Sequence, residues 1–180
     1  MHDARIKTGY GLDNPLIIAA KAGDNVAYGR LVMLYQSPLR AFLRRLTRGH
    51  HALADDLAQD TFLQGYIQLE QYRGESSLQS WMMGIGYRLF LQHVRKDKRR
   101  RELMEGIEET RASPLSYDDK RFDLERAMTH LSANERAAIT LNSQEGLTHE
   151  EIAKAMDMPL GSVKSHIKRG RDKLKAVLSK

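Results

Sequence analysis

Apolar residues in this chain recur three and four positions apart and alternating β-branched runs are missing, so the pattern predicts helices and no sheet. Asn14-Pro15 supplies a cap followed by a proline at the first helical position, and Gly23 ends that helix. Asp24 caps a second helix running to about Gln36. Ser37-Pro38 repeats the device for a third, which turns Leu39, Phe42, Leu43 and Leu46 inward and stops at Gly49. Further helices are predicted from about His51 to Glu70 and from about Ser77 to Arg100. The stretch from about Arg101 to Arg121 holds Gly106, Ser113-Pro114 and Ser116, loses the apolar period and reads as a linker, with a short helix inside Glu102 to Arg111 left open. Phe122 to Leu131 resumes helical spacing.

Two capping boxes come next, Ser132-Ala133-Asn134-Glu135 and Thr148-His149-Glu150-Glu151, in which the hydroxyl bonds the amide three residues on while the glutamate reaches back. Gly146 stands before the second box as a helix stop, Leu147 can staple onto Ile152, and Asp157-Met158-Pro159 breaks the chain after about two turns. Short helix, tight turn and new helix make a helix-turn-helix pattern. At about 100° per residue the last helix gathers Val163, Ile167, Gly170, Leu174 and Leu178 into one stripe. The opposite face holds Ser165, Lys168, Arg169 and Asp172, flanked by Lys164 and Lys175. Such groups suit phosphates and base edges in a major groove, although an ordinary amphipathic terminal helix carries the same pattern.

Composition narrows the class. A chain of 180 residues admits one medium domain or two small ones and excludes a large multidomain enzyme. A mean hydropathy of -0.55 and the lack of an 18-residue apolar run argue for a soluble protein without membrane insertion. No cysteine occurs, which excludes disulfides, cysteine-based zinc sites and thiol nucleophiles, and the Met1 region lacks a secretory apolar core, so a cytoplasmic protein is expected. Charge is concentrated: Ser162 to Lys180 carries seven basic residues against Asp172, as much net charge as the +6 of the whole chain. A second basic run, Arg95 to Arg101, sets six cations against Asp97 and is followed by an acidic stretch from Glu102 to Asp119. Two separated basic faces suggest a polyanion contacted at two places, whereas solvated helix faces would give either run singly.

Catalytic signatures are thin, and an enzyme, a metal or a cofactor is not expected. His149-Glu150 opens like H-E-x-x-H, but Ala153 stands where the second histidine belongs. Gly84-Ile85-Gly86 is a lone G-x-G in a helix, with Leu89 where a third glycine should be, and His50-His51 has no companion cluster.

Leu147-Thr148-His149-Glu150-Glu151-Ile152-Ala153 followed by Met158-Pro159-Leu160-Gly161-Ser162-Val163-Lys164-Ser165 resembles the promoter-reading helix-turn-helix of domain four in bacterial sigma factors of the small extracytoplasmic-function type. The terminal module of response regulators shares nearly the same pattern, so a helix-turn-helix transcription factor that does not replace sigma is the alternative. The upstream half separates the two. Ala54-Asp55-Asp56-Leu57-Ala58-Gln59-Asp60-Thr61-Phe62, then Tyr72-Arg73-Gly74-Glu75-Ser76-Ser77-Leu78-Gln79-Ser80-Trp81, is similar in order and spacing to the polymerase-binding and promoter-melting parts of sigma domain two. A response regulator would need a receiver of alternating strands and helices, and none is legible.

The resemblance implies an all-α fold of two small helical domains joined by a flexible linker: domain two over 1–101, the linker over 102–121, and domain four over 122–180. It implies a protein that binds core RNA polymerase and directs promoter-specific initiation, with promoter DNA and an anti-sigma factor as further partners. Asp55, Asp56, Gln59, Asp60 and Leu63, which share one side of a helix, would meet the polymerase clamp. Tyr72, Glu75, Ser76 and Ser77 would capture a base flipped from the minus-ten element, with Trp81 either beside the base or in the core. Arg88 and Gln92 stand where relatives often have Asn and Asp, so the minus-ten letters read at Arg88 do not transfer, and Arg95 opens the phosphate-binding run. Lys164, Ser165, Lys168 and Arg169 would read the minus-35 element.

Overall fold

The computed structural model describes residues 14–104 and 126–178, and among them every regular element is helical. Helix α1 (Pro15–Lys21) begins where Asn14 accepts a hydrogen bond from the Leu16 amide, with Pro15 at its first position. Asp24 caps α2 (Asn25–Leu46) by accepting from the Val26 and Ala27 amides. Ser37-Pro38 does not start a new helix, contrary to the sequence expectation: α2 runs through it. Leu34, whose carbonyl loses its amide donor at Pro38, is on an exposed turn where water can serve, while Tyr35, Leu39, Phe42 and Leu43 are buried on the other face and hold the helix together. Helix α3 (His51–Ile67) gives way to a 3-10 turn (Leu69–Gln71), then a loop, then α4 (Leu78–Leu103), whose cap Ser77 accepts from the Ser80 amide.

After residues 126–129, which are helical, come α5 (Ala133–Ser143), α6 (His149–Met156) and α7 (Leu160–Leu178). Both expected capping boxes are formed, Ser132 with Glu135 and Thr148 with Glu151. Asp157 closes α6 in the left-handed region at φ 49°. Most of the expected linker, and residues 122–125 of the helix expected after it, lie outside the described residues; Glu102 and Leu103 belong to α4.

Helices α2, α3 and α4 pack on one another with α1 laid across α2, while α5, α6 and α7 form a second bundle. One apolar cluster, containing Ile17, Ala20, Leu31, Leu69, Tyr72, Leu78 and Met82, lies under the loop that precedes α4. The other joins the bundles: Leu43, Leu46, Met83, Tyr87 and Phe90 from the first share it with Ala138, Leu141, Ile152, Met156 and Ile167 from the second.

Polar contacts run across the same boundary. Arg136, 3% exposed, donates to the Leu46 carbonyl at the end of α2 (2.5 Å) and to the Leu131 carbonyl (3.0 Å), and burial pushes its guanidinium down to about 10. Tyr87, whose phenol burial pushes up to about 12, donates to Asn134 Oδ1 at 2.9 Å. Gln79 donates to the Glu145 carboxylate at 3.0 Å, and burial holds that carboxyl above its ordinary value. Helix α6 comes so close to α4 that a Cβ added at Gly84 would sit 2.7 Å from the Ala155 carbonyl oxygen.

Candidate nucleic-acid interface

Between α4 and the 3-10 turn, the chain from Tyr72 to Ser77 is a short loop shaped by its own side chains. Gly74 takes φ +70°, a left-handed conformation that glycine enters without strain. The Tyr72 phenol donates to the Ser76 carbonyl at 2.7 Å, and its ring meets Trp81 at a centroid distance of 5.4 Å. Tyr72 is 2% exposed, so it forms the floor of the loop, and burial raises its phenol. The sequence places it among the residues that would meet the base; in the structure it lines the bottom of the cleft, with its ring packed in a cluster with Ile17, Leu69 and Leu78.

Above that floor opens a cleft of about 410 Å³ that includes Glu75, Ser76, Trp81 and Arg88 among its walls. Trp81 is half-buried, so one part of its ring is core and another is wall. Ser77 and Arg95 lie outside the cleft: the Ser77 hydroxyl is taken up at the start of α4, and Arg95 is exposed further along that helix. Arg73 and Lys154 add two cations to the walls that sequence reasoning missed. Arg73 stood inside the motif, but Lys154 comes from α6 in the other bundle and carried no sequence signal; its ammonium donates to the Glu75 carbonyl at 3.2 Å. With an indole face, hydroxyl and carboxylate groups, and guanidinium and ammonium ions around one opening, the cleft has the chemistry to hold a planar base and an adjoining phosphate.

The acidic side of α3 is split. Asp56, Gln59, Asp60 and Leu63 are exposed together, whereas Asp55 turns toward α2, with Arg40 Nε at 3.8 Å and Arg44 Nη2 at 3.7 Å. Tyr66 and Ile67 extend the exposed apolar end beyond Leu63, an extension the alternation of acidic and apolar residues in α3 could have signalled.

In the second bundle α6, the turn at Asp157 and α7 form the helix-turn-helix. Val163, Ile167 and Gly170 are buried against α5, while Leu174 is only half-buried and Leu178 exposed, so the apolar stripe ends before the helix does. Lys164, Ser165 and Lys168 point to solvent. Arg169, also exposed, is tethered: its Nε lies 3.6 Å from Glu135, and Nη2 bonds His166 Nδ1 at 3.1 Å. Glu135, buried in α5, also accepts from Lys173 at 2.8 Å. Burial would raise its carboxyl, but the Lys173 bond and the Ser132 amide together hold it below its ordinary value. Arg171 donates to Asn142 at 2.8 Å. Three cations of α7 are therefore engaged with α5 and set the angle at which Lys164, Ser165 and Lys168 are presented.

Comparison with known proteins finds a match to each half of the chain. The family descriptions "Sigma-70 region 2" and "Sigma-70, region 4" match residues 31–100 and 121–174. The chain is 29% identical to the RNA polymerase sigma-H factor of Pseudomonas aeruginosa, over 92% of this chain and 93% of that protein. It is 32% identical to the ECF RNA polymerase sigma factor SigE of Mycolicibacterium smegmatis, over 88% of this chain and 65% of that protein. Among solved structures, the sigma factor RpoE in complex with the anti-sigma factor NepR, from Bartonella quintana, superposes with a TM-score of 0.71 at 29% identity, covering 84% of this chain and 96% of that one. CnrH in complex with the cytosolic domain of CnrY shares the fold, with a TM-score of 0.66 at 21% identity over 91% and 95% of the two chains.

Proposed function

The chain belongs to the sigma-70 family of RNA polymerase sigma factors, in its extracytoplasmic-function type, and from that premise we propose which of its residues meet polymerase and promoter. It binds core RNA polymerase and directs promoter-specific transcription initiation, and the match to region 2 favours this over a free-standing helix-turn-helix regulator. We infer two domains over 1–101 and 122–180 with a linker over 102–121, α4 of the first domain extending to Leu103. The protein performs no covalent chemistry and acts in the cytoplasm, where an anti-sigma factor restrains it; no described helix is long and apolar enough to cross a membrane.

Asp56, Gln59, Asp60 and Leu63 form the face offered to the polymerase clamp, with Asp55 held back as a support for the two arginines of α2. The cleft above Tyr72 takes a base extruded from the non-template strand of the minus-ten element. Glu75 and Ser76 address its edge, Trp81 its face, and Arg73 and Arg88 the adjoining backbone. Ser77 fixes the start of α4, and Arg95 binds phosphate downstream. Lys164, Ser165 and Lys168 enter the major groove of the minus-35 element, and Arg169 contributes from the edge not turned to Glu135.

The observation that carries this reading is the cleft itself, which gathers residues from the predicted motif around one aromatic wall. The test is run-off transcription with purified core polymerase on a promoter pool, followed by permanganate footprinting of the recovered promoter. Asp56→Arg combined with Gln59→Ala should abolish polymerase co-purification and promoter opening. If that double variant still binds core and opens DNA, the docking face is wrong; if the wild-type chain activates only beside another sigma factor, the regulator reading replaces it.

A further inference from the structure

The loop over the cleft has two kinds of ties. Those inside it are the Tyr72 phenol on the Ser76 carbonyl, the left-handed turn at Gly74 and the Ser77 cap of α4. They fix the internal path of 72–77 and anchor its two ends, Tyr72 in the core cluster and Ser77 on α4, and leave the stretch between the anchors to other contacts. From outside come two lysines, each donating to a backbone carbonyl: Lys154 of α6 to Glu75, and Lys21 of α1 to Tyr72, the latter at 2.8 Å. The Lys154 bond exists only while the two bundles stay packed together. Lys21 belongs to the same bundle as the loop, so its bond does not depend on the packing of the second bundle.

Lys21 ends a helix built to be a fixed strut. Asn14 and Pro15 set its start, and Ile17 and Ala20 are buried in the cluster that contains Tyr72, Leu69 and Leu78. Ordering a lysine side chain costs more rotamer entropy than ordering almost any other, so one held at 2.8 Å on a carbonyl is offset by a charge-assisted bond of short geometry. The carbonyl it holds belongs to the residue at which the chain leaves the 3-10 turn and extends, with ψ 116°, toward the cleft. A change in that carbonyl's direction swings the peptide plane that leads into Arg73 and Gly74, and with it the base-facing groups that follow.

We propose that Lys21 is a positioning residue for base capture: its ammonium, by holding the Tyr72 carbonyl, sets where Glu75 and Ser76 stand relative to Trp81. The inference rests on the base-capture reading of the cleft. It adds α1, which precedes the region-2 match at residues 31–100, to the machinery that discriminates the extruded base.

The test uses full-length chain reconstituted with core polymerase, and forked DNA carrying the recovered promoter with its minus-ten region single-stranded. Lys21→Met, which keeps the apolar stem and removes the donor, should weaken forked-DNA binding roughly tenfold, the scale of one hydrogen bond from a charged donor, and relax preference at the extruded base. Lys21→Arg should restore most of both. Core binding and duplex binding upstream should not change. In the free chain, hydrogen exchange at the 73–76 amides should quicken in Lys21→Met while the interior of α4 keeps its protection. If exchange quickens uniformly through the first bundle, or if forked-DNA affinity and base preference stay at wild-type values, Lys21 only supports the fold and the proposal is overturned. Glu75→Ala and Ser76→Ala separate the two readings. If these weaken forked-DNA binding and Lys21→Met does not, the positioning inference alone fails; if they too have no effect, the base-capture reading fails with it.

Discussion

Replacing Gly84 by alanine should push in opposite directions on one bundle and on its contact with the other. In the interior of α4 a glycine costs about 1 kcal/mol of helix stability relative to alanine, so the first bundle alone should gain about that much. The added Cβ, however, would stand 2.7 Å from the Ala155 carbonyl oxygen and 3.2 Å from Ala155 Cα. Both are backbone atoms of α6, and no rotamer change can clear them. Helix α6 must retreat by several tenths of an ångström along its whole length, which loosens Ile152 and Met156 against Met83 and Tyr87. Overpacking of this kind costs roughly 1–3 kcal/mol, which lowers the ratio of packed to separated bundles by about fivefold to 150-fold. The chain has no cysteine, so Glu70→Cys with Glu150→Cys, both at exposed positions, accepts a pair of spin labels without competition. Distance distributions should broaden toward longer separations in Gly84→Ala, and thermal unfolding should become less cooperative. A single unchanged distance together with a higher melting temperature would refute the argument, because the close approach of α4 and α6 would then not hold the bundles together.

Arg136→Met should lower stability to urea by about 1–3 kcal/mol, since two carbonyls lose their donor, and Arg136→Lys should not restore it because one ammonium cannot reach both. Glu135 lies below the ordinary glutamate value, so its stabilisation is present at neutral pH and is lost as the pH falls from about 4.3 through the lower folded-state value; urea titrations across that range should show a loss that Glu135→Gln abolishes. Tyr72→Phe should cost about 0.5–1.5 kcal/mol through the Ser76 carbonyl and slow promoter opening, read by permanganate reactivity, without altering upstream duplex binding. Leu63→Asp, placed on the exposed apolar end of the clamp-facing side, should reduce co-purification with core polymerase while leaving the unfolding free energy within about 0.5 kcal/mol of wild type.

Local rules were legible in the sequence and relations between distant segments were not. Asn14, Asp24, Ser132 and Thr148 all cap helices as their side chains dictate, because capping is settled within three or four residues. Pro38 misled because the rule it follows is also local: buried neighbours on the opposite face carry α2 through a position where an isolated peptide would break. Tyr72 belongs to the motif and lines the cleft, but nothing in the motif shows that its ring is packed among Leu69, Leu78 and α1. Lys21, Lys154 and Arg136 each donate to a carbonyl far along the chain, and a backbone acceptor leaves no trace in the sequence of its partner.

Helix α6 forms one wall of the cleft through Lys154 and Ala155, and this alters what an affinity means for the isolated chain. A strand offered to free protein meets a population, and only molecules in which the two bundles are packed together present Lys154 beside Arg73 and Arg88. The titration therefore reports two equilibria in series, and the apparent dissociation constant is the intrinsic one divided by the packed fraction. Were about one molecule in ten packed, a micromolar site would pass in a gel-shift experiment for one near about 10 µM, within the range of non-specific DNA binding. Selectivity measured there would be an average over separated molecules as much as a property of the site.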